Sequence, residues 1–256
     1  MKLLIPISPP GPLSCVAIAM ACLALAANGC APGGPRGPVF TISFDAEVLD
    51  EAVDGRVLLM LAKSDEEEPR FQVRSGVRAI PIYGVDVEGQ EPGEEVRIDA
   101  DTFGYPFESL SDLPAGEYLV QAVLHRYETF HLSTGHTVKL PMDRGEGQQW
   151  NWAPGNLYST PRNIQVDPTR AVRIEILLDQ VIPPIEPPQD TKYIRHVKIQ
   201  SERLTKFWGR PMYLGAHVLV PEGFDEHPEA RYPLIISHGH FPADFGGFRT
   251  EPPDPT

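Results

Sequence analysis

Apolar and polar residues along this chain alternate with the two-residue period of a strand, and no long stretch sustains the 3.6-residue period of a helix. Val39 to Phe44 alternates, Arg56 to Leu61 is an apolar run, and Glu117 to Leu124 is rich in strand formers. Arg170 to Leu178 alternates clearly after Arg173. These segments lie at short spacing with turn signals between them, such as Asp112-Leu-Pro-Ala-Gly116. The pattern predicts an antiparallel β-sandwich over residues 39–182. Within it, Pro114 and Gly116 are expected to make a tight turn that feeds Tyr118 into a core strand, as in immunoglobulin-like sandwiches.

Val181-Ile-Pro-Pro-Ile-Glu-Pro-Pro-Gln-Asp190 marks the clearest boundary. Paired prolines cannot donate to a ladder and favour extended geometry, so residues 183–191 read as a semi-rigid linker. Beyond it, Tyr193 to Gln200 and Met212 to Pro221 are expected to be strands. Tyr232 to Ser237 is expected to be a third, and its nearly all-apolar composition suits a strand buried on both faces.

The N-terminus changes the picture of where the protein acts. Lys2 precedes an apolar stretch from Cys15 to Ala27, which is the layout of a signal peptide and too short for a comfortable membrane span. Two processing readings stand side by side. Ala24-Leu-Ala26 fits a small-x-small cleavage site, and Ala27-Asn-Gly-Cys30 resembles a lipobox with Cys30 lipidated. Residues 1–30 are therefore expected to export the chain as a secreted, periplasmic or lipid-anchored protein. Membrane association is expected only through that anchor, with residues 31–38 as a proline- and glycine-rich tether. Cys30 is the last of 3 cysteines, so the mature body has no internal disulfide available and must be held by packing.

Composition narrows the class further. The chain has 256 residues, 41% of them apolar, with 28 prolines and 22 glycines, which favours many short elements. Its net charge of -13 is spread along the chain and repels phosphate backbones, which argues against a nucleic-acid partner.

Three segments carry a family resemblance: Ser201-Glu-Arg-Leu-Thr-Lys-Phe-Trp-Gly209, Ala216-His-Val-Leu-Val-Pro-Glu-Gly-Phe224, and Tyr232-Pro-Leu-Ile-Ile-Ser-His-Gly-His-Phe241. Together they resemble the opening of secreted esterases of the α/β-hydrolase superfamily. Glu68-Pro-Arg-Phe-Gln72 and Gly104-Tyr-Pro-Phe-Glu-Ser-Leu110 are similar to the all-β region that precedes the hydrolase domain in some of them. The resemblance implies a mainly-β fold, an N-terminal antiparallel β-sandwich followed by the first strands of an incomplete α/β-hydrolase sheet over residues 192–256. It implies an oxyanion loop at His238, Gly239, His240 and Phe241, with a backbone N–H of His240 or Phe241 as donor. It also implies a small ester or glycan ester as substrate of a longer form, and no metal or organic cofactor.

An ester hydrolase needs a nucleophile with a base beside it, and this fold places its serine in a Gly-x-Ser-x-Gly elbow downstream of the oxyanion loop. The sequence contains no such elbow, so no catalytic residue is assigned. The chain is expected to be the N-terminal portion of an esterase and inactive alone. His238 and His240, with Asp244 and His217 nearby in sequence, fall short of a convincing metal set, and His125, His131 and His136 read as structural. Trp150, Trp152 and Tyr158 are ligand-binding candidates, because aromatic rings stack on sugars and neighbouring amides such as Gln148 bond hydroxyls. Core or interdomain packing is the more ordinary role for such rings. The competing class is thus a non-catalytic envelope module whose sandwich binds a glycan or a protein.

Overall fold

The computed structural model describes residues 37–239 together with Phe245. Residues 1–30, read above as an export signal and including Cys30, lie outside the described residues, as do His240, Phe241 and Asp244.

The fold is mainly β, as the hydrophobic pattern predicts. A small sheet contains β1 (Val39–Phe44), β4 (Val96–Ile98) and β10 (Arg173–Leu178), in the order β10-β1-β4. A larger sheet contains β2 (Val53–Ala62), β3 (Ile82–Gln90), β5 (Gly104–Tyr105), β6 (Gly116–His131), β8 (Leu157–Tyr158) and β11 (Gln180–Val181). Its order is β11-β8-β6-β2-β3-β5, with β7 (Thr137–Leu140) and β9 (Arg162–Val166) also paired to β6. All these ladders are antiparallel except one, because β1 runs parallel to β10 with Val39 opposite Arg173 and Phe44 opposite Leu178.

The core forms where the two sheets face each other. Phe40, Ile42 and Phe44 alternate inward from β1, and Ile176 and Leu178 do so from β10. They meet Val57, Leu59 and Leu61 of β2 and Tyr118, Val120, Ala122 and Leu124 of β6. Leu59 stands opposite Ala122 and Leu61 opposite Val120, so the paired side chains share the inner face. Each of the larger apolar side chains contributes roughly 1.5–3 kcal/mol by leaving water. The predicted turn is present: the Tyr118 hydroxyl donates to the Pro114 carbonyl at 2.7 Å, with the ring buried in the core.

Part of the outer face of the large sheet is covered too, which simple alternation does not suggest. Met60, Gln121 and Val123 point away from the core yet are wholly buried. Their cover is the short helix Pro69–Gln72, which packs on β2 and β6, and the loop that leads into β8. Gln121 is the polar link in that layer. Its Oε1 accepts from the Arg70 backbone N–H at 3.0 Å, and its amide nitrogen donates to Glu68 Oε2 at 2.7 Å and to the Ser159 carbonyl at 3.1 Å.

Gly37 and Pro38, the last two residues of the predicted tether, are buried. Gly37 is buried with φ +100, and a Cβ there would come within 2.7 Å of the Pro168 carbonyl oxygen.

Replacing Gln121 by Leu leaves the Arg70 N–H and the Ser159 carbonyl buried without this partner. Stability is expected to fall by about 1–3 kcal/mol, read as a lower urea midpoint with an unchanged slope. A second expectation concerns acid. Burial pushes the His125 imidazole below its ordinary value, so the unfolded chain takes up the proton first as pH falls. This contribution is complete above about pH 6.5 and is lost on acidification below it. Melting temperature measured from about pH 7 down to about pH 5 should fall less steeply in His125→Gln than in the parent.

Candidate functional site

The sequence points to two places for chemistry, and the structure treats them differently. The predicted oxyanion loop follows Tyr232 to Ser237, which forms no ladder with any described element. The strand expected there is absent among the described residues. Leu234, Ile235 and Ile236 are 78%, 90% and 79% exposed, whereas a strand apolar on both faces requires neighbours and covering layers to bury it. His238 and Gly239 are exposed, and His240 and Phe241 lie outside the described residues.

No nucleophile, base and acid converge among the described residues. His196 Nδ1 lies 3.0 Å from Asp190 Oδ1, but no hydroxyl or thiol hydrogen-bonds the imidazole. His131 contacts Thr137 Oγ1, and His136 contacts Thr134 Oγ1, each at 3.0 Å on an exposed hairpin. His217 faces His196 across a ladder, ring edge to ring face at 4.8 Å. No group of three or more His, Cys, Asp or Glu side chains among the described residues is placed to hold a metal.

The two strands expected before the loop are present. β12 (Ile194–Gln200) and β13 (Tyr213–Leu219) pair antiparallel in a separate two-stranded sheet. Between them lies a helix, Glu202–Trp208, that hydrophobic periodicity does not reveal because it spans only about two turns. Its start is set by Ser201, whose side chain accepts from the Leu204 N–H, and its end by Gly209 in the left-handed region. The helix docks on the sandwich at the end of β6. Trp208 packs edge-to-face on Phe130 at 5.3 Å, the Ser133 N–H donates to the Phe207 carbonyl at 2.8 Å, and Arg210 pairs with Glu128. The open face of the hairpin keeps Ile199 and Leu214 more than half exposed.

The second place is a cleft of about 450 Å³ on the outer face of the large sheet. Trp152 and Tyr158 both line it, so the structure brings two of the three aromatic candidates together. Trp150 does not line it; its carbonyl accepts from the Asn156 amide at 2.8 Å and thereby shapes the loop. Asn156 is the buried pin of that loop. Its Oδ1 accepts from the Arg126 N–H at 3.0 Å, and its carbonyl accepts from the Ile182 N–H at 2.9 Å. The second bond brings the start of the proline segment alongside, and Pro183 to Ile185 form one wall of the cleft.

Sequence reasoning missed Arg70, which sits at the cleft with only 8% of its surface exposed. Its Nε donates to Glu68 Oε2 at 2.9 Å and its Nη1 to the Asn151 carbonyl at 3.2 Å. The guanidinium lies 4.1 Å from the centre of the Tyr158 ring and 4.5 Å from that of Phe71. Trp152 in turn packs against Phe71 at 4.8 Å while leaving 54% of its surface exposed. Glu68-Pro-Arg-Phe-Gln72 is visible in the sequence, but nothing local says that one helical turn would set its arginine over a ring 88 positions later.

Comparison with family models, curated proteins and solved structures finds no match to this chain. Among the described residues no helix is long and apolar enough to cross a membrane.

A Cβ on residue 209 would lie 2.6 Å from the His131 carbonyl oxygen at φ +68, so Gly209→Ala should undock the helix and hairpin. Limited proteolysis is expected to cut the 192–232 region of this variant several-fold faster while the sandwich stays intact.

Proposed function

We propose that the chain is the N-terminal portion of an exported esterase-type α/β-hydrolase. In this reading an accessory β-sandwich carries the opening hairpin and first buried strand of the hydrolase sheet. The observation that carries it is the exposed apolar run Leu234-Ile-Ile236 leading into His238-Gly239, beside a hairpin with exposed Ile199 and Leu214. Side chains of this kind on both faces of an extended segment suit the interior of a parallel sheet, and contiguous apolar surface seeks a partner.

The chemistry assigned to the longer form is acyl transfer. A serine attacks the ester carbonyl as a histidine takes its proton, the histidine returns that proton to the departing alcohol, and water then releases the acid and restores the serine, while backbone N–H groups after Gly239 stabilise the oxyanion that develops. In this reading Tyr232 to Gly239 lead into that loop, and the sequence carries no Gly-x-Ser-x-Gly elbow for the nucleophile. Export through residues 1–30, with Cys30 as a lipid attachment point, places the substrate outside the cytoplasm.

The test uses the native protein, captured from membrane and periplasmic fractions with antibodies raised against the sandwich. Intact mass and labelling by a fluorophosphonate probe, which reacts with activated serines, are then measured. A product heavier than 28.3 kDa that takes up the probe is expected. A product of 28.3 kDa or less, or a heavier one that stays unlabelled, overturns the reading and leaves a non-catalytic envelope module. An added diacylglyceryl mass on Cys30 would identify the lipid anchor.

A further inference from the structure

We infer that the cleft beside Arg70 is a binding site for the pyranose rings of a neutral glycan, with Trp152 as the stacking platform. The inference stands on the sandwich alone and does not depend on any hydrolase activity.

The polar groups of the cleft are built in rather than incidental. Arg70 is nine-tenths buried, and its Nε and Nη1 have partners, but its Nη2 makes no hydrogen bond within the chain among the described residues. Nη2 is not sealed from solvent, so an arginine held between ring faces presents at the cleft a donor that water or an incoming oxygen can take. Glu146 also lines the cleft and is 8% exposed. Its Oε2 accepts from the Arg144 N–H at 2.8 Å, and its Oε1 has no such bond, which leaves an acceptor. Gln149, on the same rim, supplies an amide that can do either.

Trp152 supplies the apolar half of the recognition. Its ring is half exposed yet fixed on Phe71, so little conformational freedom is lost when a second flat surface stacks on it. The cleft volume of about 450 Å³ falls within the range of about 300–1,000 Å³ typical of small-ligand sites.

Charge chooses among ligands. The positive charge of Arg70 is answered by Glu68 at 2.9 Å, Glu146 adds a negative charge, and the chain as a whole carries -13. An anionic ligand would meet net repulsion. A purely apolar or aromatic ligand would bury Arg70 Nη2 and Glu146 Oε1 without partners, which is costly. A neutral sugar has the complementary pattern: hydroxyls that accept from the guanidinium and donate to the carboxylate, and a C–H face for the indole.

The test is isothermal titration and tryptophan fluorescence on the full chain. The probes are cellohexaose, xylohexaose, mannohexaose and chitohexaose, with hexagalacturonate as the anionic control. At least one neutral hexasaccharide is expected to bind, hexagalacturonate to bind at least roughly tenfold more weakly, and Trp152→Ala to weaken binding about tenfold or more. Trp152 is half exposed, so its removal should leave the melting temperature near the parent's, and Gln149→Ala serves as a second variant on the rim. Binding of none of the neutral probes, preferential binding of hexagalacturonate, or undiminished binding in a folded Trp152→Ala overturns the inference. Because fluorophosphonate labelling and native mass play no part in this readout, its failure and that of the esterase reading are separable.

Discussion

Burial of both faces of β6 between Val120 and Leu124 is the constraint on which the rest of the molecule depends. The strand is sixteen residues long and pairs with β2 from Leu119 to Tyr127, while β8 and β9 pair along its other edge and β7 pairs with its last four residues. Its inner side chains close the core against β1 and β10. Its outer side chains include Gln121, whose amide cannot be left dry without a partner. Glu68 and Arg70 at the start of the short helix, and Ser159 just past β8, are what satisfy it, so the outer layer is held by hydrogen bonds where the inner one is held by packing. On a strand covered on one side only, the Gln121 amide would face water and need no such partners.

The cleft follows from that second layer. Glu68 is shared between the Gln121 amide and the Arg70 guanidinium, so the group that anchors the cover also orients the arginine. Arg70 is then fixed by Asn151 on one side and the Tyr158 ring on the other. Phe71, next in the same turn, carries Trp152. A site assembled in this way is organised before any ligand arrives, because each side chain at its surface rests on one whose position serves the fold.

The β12–β13 hairpin is held by different physics. It touches the sandwich chiefly through the helix end, by the Trp208–Phe130 contact, the Arg210–Glu128 ion pair and one backbone bond. Glu128 also pairs with Arg144, so a single carboxylate ties the hairpin and the loop below the cleft to the end of β6. Beyond the helix the hairpin and the 232–237 run expose their apolar side chains. Two-stranded ribbons bury too little surface to be stable alone, and that imbalance with the sandwich supports reading this part as a portion of a larger sheet.

The sequence by itself determined the class and six of the thirteen described strands, because two-residue alternation reports directly which side of a strand meets a core. β1, β10, β12 and β13 lie close to where the pattern puts them, and the Pro114–Tyr118 turn is spelled out by its proline and glycine. It also named Trp152 and Tyr158, since exposed aromatics near amides are conspicuous. It did not show β3, the short strands β4, β5, β7, β8, β9 and β11, the full reach of β6 to His131, or the seven-residue helix, whose signals are short or interrupted by polar residues. The parallel pairing of β1 with β10 joins segments more than 130 positions apart and leaves no local trace. Tyr232 to Ser237 has the composition of a buried strand but no described ladder, because composition sets what a segment could bury and only a neighbouring strand lets it do so. The separation of Trp150 from Trp152 and the recruitment of Arg70 were likewise decided in three dimensions. Alternate residues in a loop obey no fixed periodicity, and the ring that holds Arg70 is brought to it by sheet register rather than by sequence.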